Sequence, residues 1–415
     1  MSRTRAEVQL AAWSALTFGS LLTSFMCLRP VRDALVLDGD PDRLPWLFTA
    51  NFAVFIAIAP LWGAVVRRSP RRVVPISFHV FAAVSLVFFV LVHQNVAPNV
   101  INVVFYIWAA VHNQFVVSVF WSLLADVLGP GAARRLYGPI SAGGTVGAVG
   151  GPLLTKLLVG HVGVAGVLVV AALFLELAVL GTSQIKRIAK TMPLAEEHDA
   201  QPIAQGALNG LRDIARSPYL MAIGGLVFCT ATAATFVYLA QADIVKVALP
   251  DRTARTDYFA TIDLVQQSAT FVVQLVVAAP LLRWLGPGIV MAVLPVVQCV
   301  GILGLEASPT LAVLVAVQVT SRTVAFGLLR PARELLFTVV SRDEKYRAKN
   351  VLDTLVYRLG DFASSWVYYG LVSVAAGGLA LTLTTIPLTL IWLALAIGLG
   401  IAFRRRVSLS KEPIS

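Results

Sequence analysis

The run Cys27-Leu28-Arg29-Pro30-Val31-Arg32-Asp33 places two guanidinium groups and a carboxylate inside a long apolar stretch. Arg29 and Arg32 are three residues apart, so in a helix they share one face. Pro30 between them removes a backbone hydrogen bond, which kinks a membrane helix. Two cations on one face beside a kink can hold an anion. They can also be held structurally, by Asp33 or by an acid on the seventh apolar block, but one acid cannot neutralise both.

A second cluster reads Arg330-Pro331-Ala332-Arg333-Glu334, then Lys345-Tyr346-Arg347-Ala348-Lys349-Asn350, then Asp353, Tyr357, Arg358 and Asp361. At α-helical spacing Asn350, Asp353, Tyr357 and Asp361 form one stripe, expected to face the bundle interior. Lys349, Asp353 and Arg358 do not share one tight face. The cluster suits either a salt-bridge lock at an inner gate or direct substrate contact.

A third group is dispersed: His112-Asn113-Gln114, Trp121 and Asp126; Tyr238, Gln241 and Asp243; Asp263, Gln266 and Gln267. His112 can carry a proton near neutral pH or serve as a hydrogen-bonded structural group. Asp243 and Asp263 are candidate protonation switches if burial disfavours their charge. Glu176 has no evident partner. Sequences for a phosphate-cradling loop (G-x-x-x-x-G-K-[ST]), a zinc helix (H-E-x-x-H) and a nucleophile elbow are all missing, so enzyme chemistry, a metal and a cofactor are not expected. Cys27, Cys229 and Cys299 share no metal-like spacing and read as packing or lipid-facing residues.

These residues need elements to hold them. The chain has 415 residues, 58% hydrophobic and only 13% charged, with a mean hydropathy of +0.80. A soluble domain is about half apolar and a quarter charged. The composition therefore excludes a soluble enzyme, a disordered chain and a secreted disulfide scaffold. It predicts an all-α polytopic membrane protein. Twelve apolar blocks can be marked, at 9–37, 44–66, 73–93, 98–127, 136–160, 163–182, 219–247, 257–282, 288–306, 309–338, 350–374 and 378–402. They divide into six-helix bundles at 1–182 and 219–402, a polar linker at 183–218 with an amphipathic piece near 208–214, and a tail at 403–415. The N-terminus reads as a retained first helix, not a cleaved signal.

The charge distribution sets the expected orientation. Of the 33 lysines and arginines, 22 fall at the termini and in even-numbered loops, and only Arg43, Arg252 and Arg255 fall in odd-numbered ones. The positive-inside rule puts both termini in the cytoplasm. The other eight are Arg29, Arg32, Lys156, Lys246, Arg322, Arg330, Arg333 and Arg358, all inside apolar blocks, where an ionisable group marks a pathway or a partnered interior site. With this placement the net charge of +11 implies no nucleic acid.

Six helices, a linker and six helices is the layout of the major facilitator fold. The loop Gly63-Ala64-Val65-Val66-Arg67-Arg68-Ser69-Pro70-Arg71-Arg72 resembles that fold's G-x-x-x-D-R-x-G-R-R segment, with Arg67 in place of the acid and Pro70 in place of a glycine. Arg71 and Arg72 are therefore expected at a cytoplasmic gate. The fifth block carries Gly143-Gly144, Gly147 and Gly150-Gly151, spaced for close helix approach. That serves either a flexing helix or plain tight packing.

Three runs resemble the ATP/ADP translocases of plastids and intracellular bacteria. The segment 28–36 is similar to their L-R-D-T-K-D-x-L-V. Phe120-Trp121-Ser122-Leu123 with Arg135-Leu136-Tyr137-Gly138 is similar to F-W-x-x-x-N/D and K-R-F/L-Y/F-G. The segments 330–335 and 345–353 are similar to K-E-M and K-x-K-A-A-x-D. The resemblance implies a nucleotide exchanger that uses embedded cations and acids. By position Arg32 stands for a lysine, Lys349 matches a lysine, Glu334 matches an acid, and Gln241 replaces an acid, with Asp243 two residues on. Arginine for lysine substitutes a planar fork for a point charge, and the two changes together move the expectation from strict ATP/ADP exchange to a divergent bacterial member.

The expected function is secondary transport of a multiply anionic, phosphorylated metabolite, a nucleotide first, by a monomer in the bacterial inner membrane. The rival is a proton-coupled carrier or exporter of another small organic solute. Expected substrate contacts are Arg29, Arg32, Lys349, Arg333, Arg358, Asn113 and Gln241. Expected gating or coupling groups are Asp33, Asp126, Asp243, Asp263, Glu334, Asp353, Asp361, Arg71 and Arg72.

Overall fold

The computed structural model describes residues 3–39, 43–68, 70–128, 130–190, 203–374 and 379–409. Among these the chain is helical apart from short turns. The elements are α1 (Arg3–Val36), α2 (Leu44–Arg68), α3 (Pro70–His93), α4 (Pro98–Val127), α5 (Pro130–Ala189), α6 (Ile203–Arg216), α7 (Pro218–Ala248), α8 (Arg252–Val272), α9 (Ala278–Ala307), α10 (Leu311–Val324), α11 (Arg330–Leu336), α12 (Arg342–Val351), α13 (Tyr357–Val374) and α14 (Leu379–Leu409). Single π-helical turns join α8 to α9, α10 to α11 and α12 to α13.

Eight of the helical stretches are long and apolar enough to cross a membrane. Two of these, Arg135–Ala189 and Arg252–Ala307, have 55 and 56 residues, more than twice the ~20 that a span needs. Each breaks at a glycine with a left-handed backbone, Gly163 at φ 70° and Gly286 at φ 75°, a conformation that other residues adopt only at a cost. Each stretch is therefore two spans. With α2 and the α12–α13 run, the described helices match the twelve apolar blocks, and α6 coincides with the amphipathic piece of the linker. α5 continues as helix through Ser183 to Ala189.

The chain forms two compact units. The first holds Met1–Asp40, Ala53–Gln201 and Leu249–Leu264, and the second Pro41–Phe52, Pro202–Ala248 and Val265–Ser415. The units follow the two halves of the sequence, except that each takes in one short segment from the other half.

In the first unit, Leu10, Phe18, Leu21, Phe78, Val119, Phe120, Leu123 and Ile140 form one buried cluster, and Val31, Leu35, Phe105 and Leu168 belong to another. In the second, Trp392, Phe337, Leu336, Ile223 and Met291 make the core. Large apolar side chains including Leu173, Leu180, Leu275, Leu390 and Ile391 are exposed, as on a lipid-facing surface.

The tightest packing is α1 on α5. A Cβ added at Gly147 would lie within 2.0 Å of the Gly19 carbonyl oxygen, and one at Gly143 within 2.3 Å of the Ala15 carbonyl oxygen. Thr23 Oγ1 donates to the Gly147 carbonyl at 3.4 Å, and Cys27 Sγ to the Gly151 carbonyl at 3.4 Å. The glycine series is thus a backbone-to-backbone seam. It fixes the height and rotation of α1, and with them the positions of Arg29 and Arg32. Overpacking such a seam costs ~1–3 kcal/mol or more. Gly147→Leu should lower the unfolding midpoint of the detergent-purified protein. Gly138→Ala, where the added carbon meets nothing within 4 Å, should leave it unchanged. Equal midpoints for Gly147→Leu and the unsubstituted protein would show that the seam is not closed.

Candidate functional site

In the first unit the two α1 arginines are each held by one acid. Pro30 lies inside α1, between them. Arg32 donates from Nε and Nη2 to Asp33 Oδ1, at 2.9 and 2.6 Å, and its guanidinium lies 5.1 Å from the centre of the Tyr106 ring. Arg29 Nε is 3.5 Å from Asp263 Oδ2. The arginine side chains are 16% exposed, while Asp33 and Asp263 are 4% and 2% exposed. The acids are thus sealed in and the guanidinium groups keep an open edge. The partner of Arg29 comes from α8, not from the seventh block as the sequence suggested.

Further contacts tie the first turns of α8 to α1 and its neighbours. Asp38 accepts from Arg255 Nη2 at 2.9 Å and lies 2.6 Å from Arg252 Nε. Asn102 donates to the same carboxylate at 3.2 Å. Arg255 also donates to the carbonyls of Ala34 and Pro250. Lys156 of α5 donates to Thr261 at 2.7 Å and lies 3.5 Å from Asp257. Sequence reasoning counted Arg252 and Arg255 as loop charges and passed over Asp38. The available signal was the i, i+3 spacing of two arginines in a loop class otherwise almost free of them.

In the second unit Lys349 Nζ donates to Glu334 Oε2 at 2.7 Å, and Arg333 Nη2 to Asp353 Oδ1 at 2.6 Å. Asp361 is buried, 8% exposed. It accepts from Thr235 Oγ1 at 3.1 Å and from Arg358 Nη1 at 3.4 Å. The expected stripe is broken. The π turn Leu352–Val356 adds a residue to one turn and shifts the register across it. Asn350 and Asp353 end up exposed, Tyr357 half-buried and Asp361 buried, so the four do not share one environment. Arg347 Nε donates to Asp213 Oδ2 of α6 at 2.7 Å, a contact the sequence did not suggest.

The remaining expected residues are scattered. Gln241 is buried and accepts from Gln318 Nε2. Asn113 is half-buried, and Asp126 and Asp243 are exposed. Glu176 has a partner, His79 Nδ1 at 2.8 Å. His112 is fully buried with neither ring nitrogen hydrogen-bonded, packed by the rings of Phe25, Phe81 and Trp108. The expectation of a hydrogen-bonded structural histidine is thus not met. The side chains of Arg71 and Arg72 lie outside the described residues. Among the described residues no group of histidines, cysteines and acids is placed to hold a metal.

In the Arg29, Arg32 and Arg358 pairs the acid is more buried than the cation, in Lys349–Glu334 the two are about equally accessible, and in Arg333–Asp353 the cation is the more buried member. An arriving anion with several oxygens can bind an accessible cation, because a guanidinium binds carboxylate and phosphate with the same fork.

The family model described as Major Facilitator Superfamily matches residues 10–345. No curated protein matches the sequence. The structure is similar to that of the nucleoside transporter NupG, with 16% identity, all of both chains covered and a TM-score of 0.63. It is similar to a bacterial homologue of the iron transporter ferroportin in an inward-facing state, with 14% identity, 98% and 100% coverage and a TM-score of 0.60. A bacterial homologue of the human lysosomal transporter Spinster, also inward-facing, gives 14%, 100% and 99%, and 0.56. At these identities the likeness is one of fold.

Burial ranks the pairs by their effect on stability. Removing one partner of a buried pair costs ~3–5 kcal/mol, whereas a solvent-accessible pair contributes ~0–1 kcal/mol. Asp263→Asn should therefore lower the unfolding midpoint clearly, Arg29→Gln with Asp263→Asn should recover much of the loss, and Glu334→Gln should change little. Thermal unfolding of the four purified proteins measures this, and an equal drop for Asp263→Asn and Glu334→Gln would contradict it.

Proposed function

The chain belongs to the major facilitator superfamily, and from that footing we propose that it carries a multiply anionic, phosphorylated metabolite, with ATP or ADP the first candidates, across a bacterial inner membrane. It is a multi-pass membrane transporter and not an enzyme. The halves 1–182 and 219–402 act as its two moving bundles, joined by the linker 183–218, and the termini, including the tail 403–415, lie in the cytoplasm in accord with the positive-inside rule. Lacking a nucleotide-hydrolysing loop, it draws on a gradient or on exchange.

The observation that carries this reading is the pair Arg29 and Arg32 on α1, each with one buried acid and an accessible guanidinium edge. A carrier of neutral solutes has no need for two membrane-embedded cations flanking a proline. Phosphate oxygens bind the accessible part of each guanidinium while Asp263 and Asp33 keep their own contacts with it, so neither the cations nor the buried carboxylates are left bare. Arg333, Lys349 and Arg358 supply the same chemistry in the second half, with Asp353, Glu334 and Asp361 as resident partners. The three runs shared with the ATP/ADP translocases support a nucleotide. The likeness to NupG supports only the fold.

One observation favours a second reading, proton coupling. Asp361 is buried and holds Arg358 and Thr235, and a proton on its carboxylate would release Arg358. If a proton gradient drives uptake, Asp361→Asn should abolish gradient-driven uptake and leave exchange intact.

Uptake into proteoliposomes, with a panel of labelled nucleotides and organic anions, tests the main reading. A charge-assisted hydrogen bond is worth ~1.5–3 kcal/mol, so Arg32→Gln should weaken nucleotide binding roughly 10- to 100-fold. Lys349→Gln should reach the membrane normally, bind substrate more weakly and lose uptake. Unchanged affinity in Lys349→Gln would assign that lysine to the gate alone. Arg71→Gln should lower the rate more than the affinity. Uptake of uncharged solutes only, indifferent to Arg29 and Arg32, would overturn the anion reading.

A further inference from the structure

The second unit has a cleft that the transport reading does not use. It is lined by Leu285, Gly286, Pro287, Gly288, Ile289, Ile397, Gly400 and Arg404. A Cβ on Gly288 would come within 2.9 Å of Gly400 Cα, so α9 and α14 touch backbone to backbone, and the missing side chains leave a groove beside the contact. Gly286, with its positive φ, turns the chain here and leaves Trp284 81% exposed at the rim. Exposed tryptophan is typical of the headgroup level of a bilayer.

The charges at this end are one-sided. Arg283, Arg404 and Arg405 are exposed, and none of the three makes an ion pair among the described residues. Arg406 alone is occupied, 4.4 Å from the centre of the Tyr219 ring. The cleft volume is about 40 Å³, far below the ~300–1,000 Å³ of a pocket that encloses a metabolite. It suits a chain lying along the surface, not a solute.

We infer that this cleft binds an anionic glycerophospholipid, its phosphate on Arg404 and one acyl chain along Ile289 and Ile397. Charge complementarity and the apolar floor both favour this occupant. A zwitterionic lipid brings its own cation to an already basic rim, and a free phosphate makes no use of the groove. Clusters of cations at the cytoplasmic end of membrane helices commonly select anionic lipids.

The test uses the full-length protein in a neutral detergent, with lipid adducts counted by native mass spectrometry. Phosphatidylglycerol should be retained and phosphatidylcholine of the same chains should not. Arg404→Gln should reduce retention at least about fivefold, whereas Arg405→Gln, which does not line the cleft, should not. Ile397→Trp, which fills the groove but keeps the charges, should reduce retention as well. An unchanged unfolding midpoint in the lipid-free Arg404→Gln variant confirms that it folds. Equal retention of the two lipids, equal loss in Arg405→Gln, or full competition by glycerol phosphate would each overturn the proposal.

Discussion

An ionised side chain in the middle of a bilayer costs at least ~2.5–3.5 kcal/mol, and the arrangement of this protein follows from avoiding that cost. Arg29, Arg32, Lys156, Arg333 and Arg358 all lie in apolar segments, and each has a carboxylate within 4 Å. Those carboxylates must come from helices held at fixed heights. The glycine seam of α1 on α5 holds α1. The Asp38–Arg252–Arg255 cluster holds the start of α8, which brings Asp263 to Arg29. Packing and charge neutralisation are therefore one design problem in this fold.

The same constraint shapes how such a protein can bind an anion. Free arginines waiting for substrate would be unstable in a low-dielectric interior. Arginines with a resident acid are tolerable, and they can share their remaining N–H groups with a substrate's oxygens without giving that acid up. The resident acid lowers the affinity while enabling release. A carrier benefits from that compromise, because tight binding would slow turnover.

Most of the fold was legible in the sequence. Each block runs to about the thickness of a membrane, and only helices satisfy their backbone groups there. The breaks fell where Gly163 and Gly286 allow a turn. The site was only half legible. Local relations such as Arg32 with Asp33 could be read directly. The Arg255–Asp38 contact joins residues 217 apart, and no local pattern reveals such a partner. The stripe across α12 and α13 lost its register for a different reason. It assumed 3.6 residues per turn, and one π turn at Leu352–Val356 moved Asn350 and Asp353 out of line with Asp361. His112 shows the limit of residue-type reasoning, since a polar side chain among aromatic rings looks the same in sequence whether or not a partner awaits it.

The borrowed segment Leu249–Leu264 also bears on biosynthesis. Asp38 enters the membrane early and meets Arg252 and Arg255 only after the chain has been made past them. At roughly 5–20 residues per second that is about 10–40 s later. Through that interval the first unit has its seam but lacks its closing charges, with Arg29 awaiting Asp263. A translation product that stalls in α7 would leave those groups without their partners for good, and the membrane's proteases could recognise it by its unneutralised charges long before any loss of transport became visible.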